Sequence, residues 1–211
     1  MIIGTIKADK AAALKSETSA RITETGAYIG RIVQAEQHES KNGAAMLGFY
    51  FETNEGQTAW LSLCVVKGDG EESFGMGIFH SMMTVAKVDA VEWTHGKYRN
   101  MQGEKVDGYR GRAIEGKPIG LLLEREEREY TRNGEVKVGF DMVIRRAFDP
   151  DTGLTVKEME AKETTPKVIA SMLKNLQEKP KPVRKLQGQA AASAAPASMP
   201  PDPPVDDDMP F

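Results

Sequence analysis

The chain has 211 residues, of which 28% are charged and 40% hydrophobic, and a formal net charge of −3. That balance fits one ordinary globular domain with appendages, and no apolar run approaches the roughly 18 residues that a membrane-spanning helix needs. The single cysteine, Cys64, rules out a disulfide within the sequence, and His38, His80 and His95 form no spaced ligand set, so neither a metal nor a cofactor is implied.

Taken in chain order, residues 1–25 are an N-terminal extension with a weak helical stretch near Ala11–Ala20, and the Met1-Ile2-Ile3-Gly4 start has no signal-peptide core. A cytoplasmic protein without a membrane partner is expected. Gly26–Glu36, Ala45–Thr53 and Gln57–Val66 are rich in β-formers, and Asn54-Glu55-Gly56 between the last two reads as a hairpin loop with glycine in the left-handed position. With Thr53 opposite Gln57, Tyr50 faces Trp60, Phe51 faces Ala59, Phe49 faces Leu61 and Leu47 faces Leu63. Leu47, Phe49, Phe51, Leu61, Leu63 and Val65 then share a core face, and Met46, Gly48, Tyr50, Trp60 and Ser62 share the other. Cys64, inside this apolar pattern, is expected to be inert core.

Phe74–Val88 carries Phe74, Ile78, Met82, Met83 and Val85 at helical spacing. The stretch from Asp89 to Pro118 has no clear period and reads as a long excursion. Pro118–Thr131 and Glu135–Phe148 follow as strands joined by Asn133-Gly134, a strong hairpin signal. After the turn Asp149–Gly153 comes a C-terminal helix, with Thr165 as N-cap, Pro166 at its first position, and Val168, Ile169, Met172, Leu173 and Leu176 on one stripe. Three strands, a helix and two strands is the order of the OB-fold. That five-stranded Greek-key barrel binds oligonucleotides on the face of its second and third strands. The expected class is therefore mostly β, an OB-fold barrel over residues 1–177 with one internal helix, a C-terminal helix and a disordered tail.

Two groups of residues could bind a ligand. Tyr50 and Trp60, on the face away from the core, either pack a second small core or form a platform on which bases stack. Between Trp93 and Arg112, the rings of Trp93, Tyr98 and Tyr109 alternate with Lys97, Arg99, Lys105, Arg110 and Arg112 against only Glu104 and Asp107. Rings for bases and cations for phosphates, on glycine-rich backbone, suit a channel for a single strand of nucleic acid. Arg31, Lys41 and Lys67 border the hairpin and are candidate phosphate contacts. The arms of the last hairpin, with four basic and five acidic residues between Glu124 and Lys137, read as a solvated ribbon. No phosphate-cradling or dinucleotide-binding glycine motif is present, nor a convergent pair of acids, so an enzyme is not expected.

From Glu178 the composition shifts to Pro, Ala, Ser and Gln, so residues 178–205 are expected to be a disordered linker. The last 22 residues hold four Asp and no Lys or Arg, which leaves 28 basic against 27 acidic residues upstream. The chain ends Asp206-Asp207-Asp208-Met209-Pro210-Phe211. A merely solubilising tail has no need of the apolar tip, which reads as an aromatic plug beside a carboxylate, suited to a pocket with a basic rim on another protein.

That tip resembles the acidic C-terminal tip of bacterial single-stranded DNA-binding proteins, which typically reads Asp-Asp-Asp-Ile-Pro-Phe, with Met209 in place of Ile. The body, including "TGAYIGRIVQAE" and "SKNGAAMLGFYFE", is more similar to phage-encoded single-stranded DNA-binding proteins. The resemblance implies a protein that coats single-stranded DNA without sequence preference and uses Asp206–Phe211 to recruit replication, recombination and repair enzymes in a bacterial host cytoplasm. It leaves the oligomeric state open, a homo-oligomer included. Two other readings are an adaptor or decoy that uses the tip without binding DNA, and a strand-annealing recombination protein.

Overall fold

The computed structural model describes residues 21–99 and 104–186. The helical stretch near Ala11–Ala20 and the tip Asp206–Phe211 lie outside them. The described residues are mostly β, in an open antiparallel sheet of seven strands: β1 (Gly26–Glu39), β2 (Ala45–Thr53), β3 (Thr58–Val66), β4 (Thr94–Arg99), β5 (Lys105–Arg110), β6 (Pro118–Arg132) and β7 (Glu135–Phe148). The helices are α1 (Phe74–Val85), α2 (Val156–Glu160) and α3 (Val168–Glu178). Five strands were expected. The additional pair, β4 and β5, lies in the excursion that showed no period.

The hairpin register expected for β2 and β3 is the one observed, with Tyr50 opposite Trp60, Phe49 opposite Leu61 and Leu47 opposite Leu63. Gly56 closes it at φ 84°, a conformation that costs other residues a Cβ clash. Asn133 and Gly134 both take positive φ, 55° and 80°, as a two-residue turn between strands of matching twist requires.

β1 organises the sheet because both its edges are used. One edge pairs with β2 from Gly30 to Glu39, and Val33 is the extra residue of a bulge. The bulge shifts the alternation by one, so Ile32 and Ala35 are both fully buried. The other edge is shared by three segments in turn. Gly26–Arg31 pair with β6, and Glu36 and Gln37 pair with β5. In between, the short 3₁₀ turn Arg112–Ile114 and its flanks are tied to the strand: Gly111 N–H donates to Ala35 O at 3.0 Å and Gly116 N–H to Ile32 O at 2.8 Å.

The core lies on one side of this sheet, built from Phe49, Phe51, Leu61, Ile119, Leu121, Leu123 and Ile144 with Ile78, Phe79, Met82 and Val85 of α1. β3 runs beside β7 without a hydrogen-bonded ladder between them, and α1 packs on both, so the helix covers the seam that leaves the sheet open. A second, smaller cluster joins Leu122 and Phe148 to Ile169, Met172, Leu173 and Leu176, four of the five residues expected on the stripe of the C-terminal helix; Val168 is not part of it.

That helix starts differently from the expectation. Thr165 and Pro166 precede it, Lys167 stands at the cap position without a side-chain cap, and the free N–H groups of Lys167 and Val168 donate to Glu158 Oε1 at 2.7 and 2.9 Å. Glu158 also forms a capping box with Thr155 at the head of α2. Its burial would raise its pKa, but the N–H groups of Lys167, Thr155 and Val168 hold the carboxyl down to about 2. The stability it contributes is complete above the ordinary carboxyl pKa and is lost as pH falls through about 2.

Candidate nucleic-acid interface

The face of β2 and β3 away from the core presents Tyr50 and Trp60 side by side. Trp60 is 40% exposed, and its ring occupies the space a side chain at Gly48 would need: a Cβ at position 48 would sit 2.5 Å from Trp60 Cζ2. The missing side chain thus makes the ring's seat. Further along the same face, Gln34 Nε2 donates to Glu36 Oε2 at 3.2 Å, and the Tyr98 hydroxyl donates to the same oxygen at 2.8 Å. Burial, followed by that hydrogen bond, pushes the Tyr98 phenol up to about 12.

The β4–β5 hairpin divides the ring and cation cluster read from the sequence. Pairing sets Thr94 opposite Arg110, Gly96 opposite Gly108 and Tyr98 opposite Val106, so Tyr98 and Arg110 share the outer face with Glu36. His95 opposite Tyr109 and Lys97 opposite Asp107 point the other way, with Lys105 in the same alternation. Tyr109 is 47% exposed and meets His95 edge to face, 4.9 Å between ring centroids. It therefore belongs to a different surface from Trp60. Arg99 ends β4 opposite Lys105. Trp93 is not on either surface: half-buried, it packs on Phe79 at 6.1 Å between centroids and extends the core.

Several of the candidate cations already have anions. Arg31 pairs with Glu52 at 3.0 Å and Lys67 with Glu71 at 2.9 Å. Arg110 is held in a fork by Glu115, 2.7 Å from Nε and 2.9 Å from Nη2, and this bonding raises its guanidinium pKa above the ordinary value. Glu115 Oε1 also accepts the Ala35 N–H at 3.0 Å, so Arg110 ties β5 and the 3₁₀ turn to β1. Lys41 and Arg112 are exposed and have no ion-pair partner among the described residues. The loops of Lys41 and Lys67 meet at one end of the sheet, where the Asn42 carbonyl lies against Gly68.

What the sequence reading missed is a groove of about 560 Å³ between this face and the β6–β7 hairpin. Met46, Trp60, Ser62 and Cys64 form its floor; its wall carries three carboxylates, Glu126, Glu127 and Asp141, and two guanidinium groups, Arg128 and Arg184. Cys64 is accordingly not core. It has the same strand parity as Trp60 and Ser62, is half-buried, and donates a weak hydrogen bond to Val66 O at 3.6 Å. The hairpin arms expected to be a solvated ribbon are this wall. Their alternating acids and bases pair among themselves: Arg128 with Asp141 at 2.5 Å, Arg125 with Glu127 at 2.9 Å, and Arg145 with both Glu124 and Glu126. Strand alternation around Trp60 could have placed Cys64 and Met46, but no local signal joins them to Arg128 or Arg184, more than 60 residues away.

The chain matches no protein-family model, and no curated protein matches it in sequence. Among the described residues no group of three or more His, Cys, Asp and Glu could hold a metal ion, and no helix is long and apolar enough to cross a membrane.

Proposed function

We propose that this protein binds single-stranded DNA without sequence preference and that the groove over Trp60 receives the strand. The observation that supports this reading is the 40% exposed Trp60 ring seated beside Gly48 in a groove whose wall holds Arg128 and Arg184 among the carboxylates of Glu126, Glu127 and Asp141. An exposed ring in an open groove is free to stack on any base, whereas Trp93, half-buried, is engaged with Phe79 at the edge of the core. We further infer an OB-type barrel from β1, β2, β3, β6 and β7, with α1 at the seam and β4–β5 as an inserted hairpin. The pairing of β1 with both β2 and β6 and the proximity of β3 to β7 support it. Coating of single strands during replication, recombination or repair, with enzymes recruited through Asp206–Phe211, is the role that the resemblance of the tip adds.

Binding of this kind rests more on stacking than on charge, because Arg31, Lys67 and Arg110 are already neutralised. Titration of the protein with labelled oligo-dT tests it. Quenching of tryptophan emission and a gel shift are expected, with log affinity falling against log salt at a slope of roughly −1.4 to −2.8, the value for two to four phosphate contacts. Unchanged emission and mobility in dilute buffer would sink the reading and leave the adaptor or decoy. A strand annealer would in addition speed the pairing of complementary oligonucleotides.

A further inference from the structure

Residues 181–186 fall in the stretch expected to be linker, yet they line the groove. Arg184 N–H donates to Glu127 O at 2.9 Å, Glu129 N–H donates to Arg184 O at 3.0 Å, and Arg184 forms a parallel bridge with Arg128. On one side of this bridge, Lys181 Nζ meets Glu126 Oε1 at 2.5 Å and Glu124 Oε2 at 3.5 Å; on the other, Leu186 N–H donates to Glu129 Oε2 at 3.3 Å. The bonds fall where β6 has passed its pairing with β1, which ends at Leu123, and so has an open edge. An open edge is a template for one more extended segment. Pro182, two residues before Arg184 and of the same parity, has no N–H to offer this edge, so the backbone pairing is confined to Arg184.

The strap sets one charge in the groove under different conditions from the rest. Asp141 occupies Arg128, and Glu52, Glu71 and Glu115 occupy Arg31, Lys67 and Arg110; of the two arginines that line the groove, Arg184 has no carboxylate partner among the described residues. Arg184 lines both the groove over Trp60 and an adjoining recess of about 390 Å³ shared with Arg128, Glu129, Lys185 and Leu186. A free guanidinium across a groove from an exposed indole is what one nucleotide needs, a fork for its phosphate and a ring for its base.

We propose that the strap 181–186 is a structural part of the DNA groove and that Arg184 is a phosphate-contacting residue delivered by it. This rests on the single-strand reading above. The test uses full-length protein and labelled oligo-dT over a range of salt. Arg184→Ala should bind about 3- to 10-fold more weakly at low salt, with a salt slope shallower by about 0.7, the loss of one phosphate contact. Arg184→Lys should keep the slope, because the charge stays. Lys181→Glu, which repels Glu126 and loosens the strap, should weaken binding by a similar factor. The double variant should then lose little more than either single one, since both remove the same contact. Wild-type affinity and slope in Arg184→Ala would overturn the proposal and leave the single-strand reading intact; failure of the unaltered protein to bind would overturn both.

Discussion

The outer face of β2–β3 and the β4–β5 hairpin both carry aromatic rings, but only the hairpin has cations on its own strands, and the two put their rings to different use. On β2–β3 a glycine clears space for an indole that stays 40% exposed, and the carboxylates that share its groove, Glu126, Glu127 and Asp141, are each paired with a cation. On and around the hairpin, strand alternation splits the rings between two surfaces. Arg110 is held by Glu115, Tyr98 bonds to Glu36, and Trp93 sinks into the core. Composition shows that a region could bind a polyanion; which cations are already neutralised, and which face each ring takes, decides whether it does.

The sharpest way to break this contrast is to remove the ring. Trp60→Ala is expected to weaken oligo-dT binding about 5- to 100-fold, the loss of one stacked base, while Tyr109→Ala stays within about twofold of wild type. Equal losses in the two variants, measured by fluorescence anisotropy, would move the site onto the hairpin. Trp93→Ala should behave in the opposite way, lowering thermal stability by about 2–3 kcal/mol with little change in affinity below the transition. Calorimetry and titration on the same sample separate these effects.

A subtler variant leaves the ring and removes its seat. Gly48→Val drives a side chain into the space of Trp60 Cζ2 and should cost about 5- to 10-fold in affinity, with tryptophan emission shifted even without DNA. Glu115→Gln tests the neutralised side of the comparison. The amide oxygen can still accept the Ala35 N–H, but the anion is gone, so binding should tighten about twofold and the salt slope should steepen. The smallest effect concerns Tyr98. With the phenol raised to about 12, its contribution to stability is complete below the ordinary value of 10.0 and is lost as pH rises through about 12. Spectrophotometric titration should show late-titrating tyrosines, since burial also raises Tyr28, and Tyr98→Phe should remove the component near 12.

The sheet core was legible because its signals are local. The loop Asn54-Glu55-Gly56 fixes the register of β2 on β3, and with it the adjacency of Tyr50 and Trp60, before any long-range contact is considered. Asn133-Gly134 does the same for β6 and β7. β4 and β5 escaped notice because glycines and polar residues occupy both faces, so no period of two stands out. The start of α3 was misplaced because Glu158, nine and ten residues upstream, supplies what Thr165 was expected to supply. The groove was out of reach for a related reason. Its floor comes from β2 and β3, its wall from β6 and β7, and one corner from a segment whose proline and lysine content resembles a linker. No window of sequence contains those parts together.

The shared edge of β1 has a kinetic meaning as well as a geometric one. Ile32–Gln37 are closed in by β2 on one flank and by the 3₁₀ turn and β5 on the other, so their amide protons should be the last to exchange with solvent. The strand's first half waits for residues 118–123, some 90 positions later, before it has a second neighbour. Pairing across so long a separation is expected to slow folding, because the loop must close before the contact rewards it.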